Sequence, residues 1–188
     1  MADLNRSSYA VLGMVSFMPM SGYDIKKHID NSISHFWSEN YGHIYPVLAS
    51  LEKRGLVRLL PVKKGPRPGR ERKVYTSTPE GSAMLLKWLH EPAAPEYFRI
   101  ELLLKLFFGL YTEPSVSIRG IEREKAHCRK TLDNFAKLEK HIKAEGEGPQ
   151  SLYGLLCLEY GKAHYAAIEK WCGHAELVLK KIKNKKTK

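Results

Sequence analysis

The chain is poor in cysteine, in long apolar runs and in acid, and each shortage narrows the reading. Three thiols in 188 residues, Cys128, Cys157 and Cys172, are scattered and odd in number. A disulfide framework is therefore not expected, and a reducing cytoplasm is the natural setting. No segment reaches the ~18–20 consecutive apolar residues needed to span a bilayer. The longest candidate, residues 100–111, carries Glu101 and Lys105. The early apolar run 9–20 is broken by Gly13, Ser16 and Pro19 and lacks a cleavage signature, so no signal peptide is expected. Asp and Glu number 20 against 31 Lys and Arg, a net charge of +11. That excess favours a polyanionic partner, nucleic acid first and an anionic membrane surface second.

Catalytic constellations are also missing. Met18-Pro19-Met20-Ser21-Gly22 is not a Gly-x-Ser-x-Gly elbow, and no glycine-rich loop precedes a Lys-Ser/Thr pair. His28, His35 and His43 are widely spaced, and the neighbours His127/Cys128 and Cys172/His174 do not complete a four-ligand zinc pattern. The expectation is a protein that is not an enzyme and has no metal or cofactor.

The first half carries strong local signals. Ser7 or Ser8 can cap a first helix bearing Tyr9, Val11, Leu12, Val15 and Phe17. Ser21 caps a second, with Ile25, Ile29 and Ile33 at four-residue steps. A third, over 40–54, places Ile44, Val47, Leu48 and Leu51 on one face, with His43 and Tyr45 near its start and Lys53 near its end. Pro46 sits awkwardly beyond the first turn, so the helix either starts nearer Gly42 or bends there. Two strand-like runs follow, 57–62 and 73–77, with Pro61 restricting the first to an edge strand. Between them, Lys63, Lys64, Arg67, Arg70, Arg72 and Lys73 stand against a single Glu71, in a connection stiffened by Pro66 and Pro68. Thr78 as cap and Pro79 at the first helical position open a fourth helix. Helix, then hairpin with a cationic tip, is the layout of a winged helix-turn-helix. The helix start can enter a major groove, and the tip can neutralise phosphates. The candidate DNA-contacting residues are His43, Tyr45, Lys53, Lys63, Lys64, Arg67, Arg70 and Arg72.

Glu91-Pro92-Ala93-Ala94-Pro95 is the best boundary, dividing a domain of residues 1–91 from one of 92–188. The second half reads as helices over 97–110, 114–145 and 151–183, ending in a basic tail. Ile118, Ile121, Cys128, Leu132, Phe135 and Ile142 recur at heptad-like steps interrupted by Lys125 and Glu139. The imperfect heptad favours an antiparallel helical pair or a dimer arm over a long parallel coiled coil. With Trp171 these residues are the candidate dimer interface, because two long helices have little else in one chain to bury against. An ordinary amphipathic helix on a local core is the plainer alternative. Phe17, Trp37, Trp88 and Phe98 are the candidates to line an apolar effector pocket.

Ser21-Gly22-Tyr23-Asp24-Ile25, then Ile44-Tyr45-Pro46-Val47-Leu48 with Leu51-Glu52-Lys53-Arg54-Gly55-Leu56-Val57, then Tyr75-Thr76-Ser77-Thr78 and Gly81, resemble the PadR family of transcriptional regulators. Phe36-Trp37 and the long helical tail resemble its phenolic-acid-sensing branch, with a virulence-activator-like C-terminal domain. The resemblance implies a homodimer on a palindromic operator, acting as a repressor released by a small aromatic or drug-like effector. It also places the Tyr of the Tyr-Pro pair, Tyr45, on DNA. The expected architecture is mainly α with a small β-hairpin: a winged helix-turn-helix followed by a helical dimerisation domain. The rival reading is a winged-helix interaction module without specific DNA binding. An acidic hairpin tip would have favoured it.

Overall fold

The computed structural model describes residues 4–61, 73–95, 98–144, 146 and 148–186. The chain divides into two compact units, Met1–Pro95 and Glu96–Lys188. The first contains α1 (Arg6–Phe17), α2 (Gly22–Ser32), α3 (Tyr41–Lys53), β1 (Val57–Leu59), β2 (Tyr75–Ser77) and α4 (Pro79–Leu89). The second contains α5 (Glu101–Phe107), a 3-10 turn (Gly109–Tyr111), α6 (Pro114–Ala144) and α7 (Pro149–Lys186).

The caps explain the starts of the first unit's helices. Asn5, rather than Ser7 or Ser8, caps α1. Its Oδ1 accepts from the Ser8 backbone N–H at 2.8 Å and from the Ser8 hydroxyl at 2.7 Å. The serines sit inside the first turn because asparagine at the preceding position already satisfies the orphan amide. Ser21 and Asp24 form a reciprocal capping box on α2. Thr78 caps α4, with Pro79 at the first helical position as the sequence predicts. Asn40 caps α3, so Pro46 does lie inside that helix. The apolar faces then meet: Val11, Leu12 and Val15 of α1, Ile25 and Ile29 of α2, and Ile44, Leu48 and Leu51 of α3 form one core. Val47 is only half-buried at its edge. Each fully buried aliphatic side chain contributes about 1.5–3 kcal/mol before entropy is charged.

The hairpin is shorter than the sequence suggests. Val57 pairs with Ser77, Arg58 with Thr76 and Leu59 with Tyr75, antiparallel. Leu60 still donates to the Val74 carbonyl at 2.8 Å, but Pro61 has no N–H to continue the ladder. Lys73 and Val74 lie outside the strand, and Val62 lies outside the described residues. Tyr75 also pairs on its other side. Its N–H donates to Met20 O at 2.9 Å, and its carbonyl accepts from Met20 N–H at 3.0 Å. Met20, in the connection between α1 and α2, is thus buried as a one-residue third strand. Gly81 lets α4 close against the hairpin: a Cβ there would lie 2.0 Å from the Leu56 carbonyl oxygen.

In the second unit, the helix expected over 97–110 is reduced to α5. It starts at Glu101 without a side-chain cap and gives way to the 3-10 turn after Phe108. Helices α6 and α7 form an antiparallel hairpin. Lys125 meets Glu176 at 3.1 Å, Arg129 meets Glu169 at 2.6 Å, and Lys162 meets Glu139 at 2.8 Å. Numbers rise along one helix as they fall along the other. Lys125 and Glu139, which break the heptad pattern, are the inter-helix cross-links.

This seam is filled within the chain, as an antiparallel helical pair. Ile118, Ile121, Cys128 and Phe135 are buried within a single chain, while Leu132 and Ile142 are half-buried. The partner that the α6 period demanded is α7 of the same chain, contributing Leu158 and Cys172. Trp171 alone of that group stays exposed. Burial first, and Glu124 second, push the Cys128 thiol up to about 11, so it is an inert apolar filler.

Hydrogen bonds from Lys162 and Lys143 hold the Glu139 carboxyl down, from its ordinary 4.5 to about 2. A depressed acid stabilises the folded state above its unfolded value and loses that contribution as pH falls through its folded value. We therefore expect a stability loss between about pH 4.5 and 2. Glu139→Gln should flatten that limb in acid-dependent urea melts followed by circular dichroism. An unchanged limb would refute the cross-link.

Candidate nucleic-acid interface

The exposed head of α3 is built from its own first turns. Asn40 Oδ1 accepts the His43 backbone N–H at 3.0 Å, fixing where the helix begins. Ile44, Leu48 and Leu51 point into the core. That leaves Tyr41, His43 and Tyr45 outward, with Tyr45 52% exposed. Tyr45 stacks towards Tyr41 at 6.3 Å between ring centroids, and Tyr41 towards Tyr23 of α2 at 6.4 Å. Three phenols thus make a ladder across the two helices of the helix-turn-helix. Gly22 makes room for it: a Cβ there would stand 2.6 Å from Tyr45 Cε1.

Just before the cap, Glu39 is buried, although it is a carboxylate. The Trp37 indole N–H donates to its Oε1 at 3.1 Å, and His43 Nδ1 lies 3.5 Å from its Oε2. The positive end of α3 adds favourable charge there.

Lys53 is exposed in the last turn of α3, and Arg58 and Lys73 are exposed around the hairpin. Lys63, Lys64, Arg67, Arg70 and Arg72 lie outside the described residues. Among the effector candidates, Trp37 is held by Glu39 near the head of α3. Trp88 stacks face to face on Tyr9 of α1, 4.7 Å between centroids, against the core. Phe17 is exposed in the first unit, and Phe98 in the second. Tyr23, Tyr41 and Glu39, which the sequence did not single out as site candidates, lie in contact with the candidates Tyr45 and His43 or with one another. The four-residue step from Tyr41 to Tyr45 was a legible sign of a shared helix face; nothing in the sequence marked Glu39 as buried.

The profile of the transcriptional regulator PadR-like family matches residues 11–87, and that of the virulence activator alpha C-terminal region matches 98–180. The chain belongs to the PadR-like family of transcriptional regulators. The negative transcriptional regulator PadR of Bacillus subtilis is 35% identical over 102 residues, covering 53% of this chain and 54% of that protein. The match therefore spans about half of that regulator's length. A probable transcriptional regulator of Mycobacterium tuberculosis, Rv1176c, is 26% identical over 81% of this chain and 83% of its own. Among solved structures, the PadR-like regulator BC1756 of Bacillus cereus superposes with a TM-score of 0.79 at 23% identity. It covers 93% of this chain and 98% of its own. The B. subtilis PadR has been solved with operator DNA (TM-score 0.78, 22% identity, 92% and 98% covered). It has also been solved with p-coumaric acid (TM-score 0.73, 22% identity, 92% and 98% covered). At such identities these likenesses show a shared fold.

Two PadR-fold glycines should respond differently to a methyl group. At Gly22 the obstacle is the end of an exposed tyrosine ring, which can swing away; at Gly81 it is backbone. Gly22→Ala should leave stability within about 1 kcal/mol while displacing the Tyr45 ring resonances in NMR spectra. Gly81→Ala should cost about 1–3 kcal/mol or more in urea unfolding. Equal stability losses would show that the Tyr45 ring is not free to move.

Proposed function

We propose that this PadR-family chain is a homodimeric, sequence-specific DNA-binding regulator of the cytoplasm. It acts as a repressor at a palindromic operator and is relieved by a small aromatic effector. The observation that carries this reading is the exposed head of α3. Tyr41, His43 and Tyr45 stand clear of the core at the point where a winged helix presents side chains to base edges. The net charge of +11 suits a polyanion. Repression is suggested by the name of the B. subtilis relative, and an aromatic effector by that protein's complex with p-coumaric acid. In this reading residues 1–91 recognise DNA. Tyr45 and His43 contact bases; Lys53, Lys63, Lys64, Arg67, Arg70 and Arg72 neutralise phosphates.

Residues 92–188 hold the dimer, through a surface other than the α6 seam. Tyr153, Leu156, Tyr160, Trp171, Val178 and Ile182 fall along one side of α7, and all are exposed. A second copy would cover this stripe, removing from water an apolar surface too extensive for a monomer to leave bare.

Fluorescence anisotropy with DNA from upstream of the protein's own gene, beside a scrambled duplex, tests the DNA reading. Specific binding should exceed non-specific by ~10³ or more. Tyr45→Ala should lose specific affinity more than non-specific. Arg67→Ala should flatten the salt dependence by up to about one unit. An aromatic acid that releases DNA must itself bind more weakly to the operator complex, by the same factor. Equal binding to both duplexes and to genomic operators selected from a library would leave only non-specific electrostatics.

Sedimentation tests the dimer surface separately. Trp171→Glu should shift the mass from two chains to one with helix content preserved, whereas Cys128→Ser should lower stability without changing the mass. A Trp171→Glu protein that remains dimeric would remove the stripe from the interface.

A further inference from the structure

A buried carboxylate directly before a helix that presents side chains to solvent calls for a reason. Glu39 is 6% exposed, and its side chain has two polar neighbours that do different jobs. The indole N–H of Trp37 donates to one oxygen at 3.1 Å and anchors the carboxylate from below. The other oxygen faces Nδ1 of His43 at 3.5 Å, and the His43 side chain is 66% exposed. An ionised carboxylate only accepts hydrogen bonds. A carboxylate facing Nδ1 favours hydrogen on that nitrogen, in the neutral ring as in the cation. The other nitrogen, Nε2, is left on the solvent side.

We propose that Glu39 is a positioning residue for DNA recognition: it clamps His43 through Nδ1 and so makes Nε2 the atom that His43 offers to the operator. The proposal rests on the DNA reading given above. In the neutral ring Nε2 is a lone pair, suited to the exocyclic amine of adenine or cytosine in the major groove. In the cation it is a donor, suited to guanine or a phosphate. Without the clamp, the ring is free to rotate and to exchange tautomers, and the base contact loses its fixed partner atom. Glu39 touches no DNA in this scheme. Its effect passes wholly through His43, and that separates it from a residue of merely structural importance.

Two readouts test this. Glu39→Gln is the variant of choice, because its amide oxygen can still accept from Trp37. First, ¹⁵N-edited NMR of the histidine ring in the free protein, at about pH 8 where an imidazole is mostly neutral, reports the tautomer without DNA. The wild type should show hydrogen on Nδ1 of His43, and Glu39→Gln should lose that preference. Second, operator affinities form a double-mutant cycle. His43→Ala should weaken specific binding on the order of tenfold. Glu39→Gln should weaken it by up to the same factor, and the double variant should be no worse than His43→Ala alone. A wild-type ring with hydrogen on Nε2, or a double variant that loses the product of the two single effects, overturns the clamp. A wild-type protein without operator preference overturns the DNA reading and the DNA role of His43 with it. The NMR spectrum distinguishes that failure from failure of the Glu39–His43 contact.

Discussion

The backbone of Tyr75 holds the first unit's geometry. Its N–H and carbonyl both turn to Met20, while its side-chain pair across the hairpin is Leu59. In an antiparallel ladder such non-hydrogen-bonded pairs bring their side chains closest. One residue therefore ties the hairpin to the connection between α1 and α2, and its own ring is buried in the core. Burial, followed by the Glu52 carboxylate of α3, raises its phenol, which stays protonated and neutral. The angle at which the hairpin leaves the core, and so where its basic connection begins, depends on this two-sided pairing. Neither flanking segment is long enough to fix that angle alone.

The two units use charge in opposite ways. In the hairpin of α6 and α7, charges are consumed internally: Lys125, Arg129 and Lys162 are each matched by a glutamate on the facing helix. These pairs are partly exposed and contribute modestly to stability, but their spacing is satisfied by one alignment of the two helices. In the first unit, Lys53, Arg58 and Lys73 stay exposed. Net charge itself does not separate the units: residues 1–95 carry 13 Lys and Arg against 8 Asp and Glu, and residues 96–188 carry 18 against 12.

Much of the first unit was legible because its signals are local. Ser21 with Asp24, Asn40, and Thr78 with Pro79 act through hydrogen bonds within a turn of the chain, so residue type and spacing suffice. Elsewhere the limit is that periodicity names a face and not the surface it meets. Ile118, Ile121, Cys128 and Phe135 do repeat as a buried stripe, yet the stripe is answered by α7 rather than by a second chain. Met20 gave no strand signal because a single residue has no period. Glu39 looked like any solvent-facing acid, since its burial depends on Trp37 and His43 being brought to either side of it. The cap on α1 went to Asn5 for a simpler reason: Asn5, Ser7 and Ser8 all lay within reach, and the most upstream of them lengthens the helix.

Pro46 has a mechanical consequence. It sits inside α3 and has no N–H to give to the carbonyl of Gly42, one turn back. The first turn of α3 is therefore joined to the rest of the helix by fewer rungs than a continuous ladder provides. It is held instead by the Asn40 cap and by Ile44 in the core. The helix is consequently a stiff rod with a softer tip, and the tip is the part that carries Tyr41, His43 and Tyr45. It can adjust its pitch to an uneven surface without disturbing Leu48 and Leu51 below.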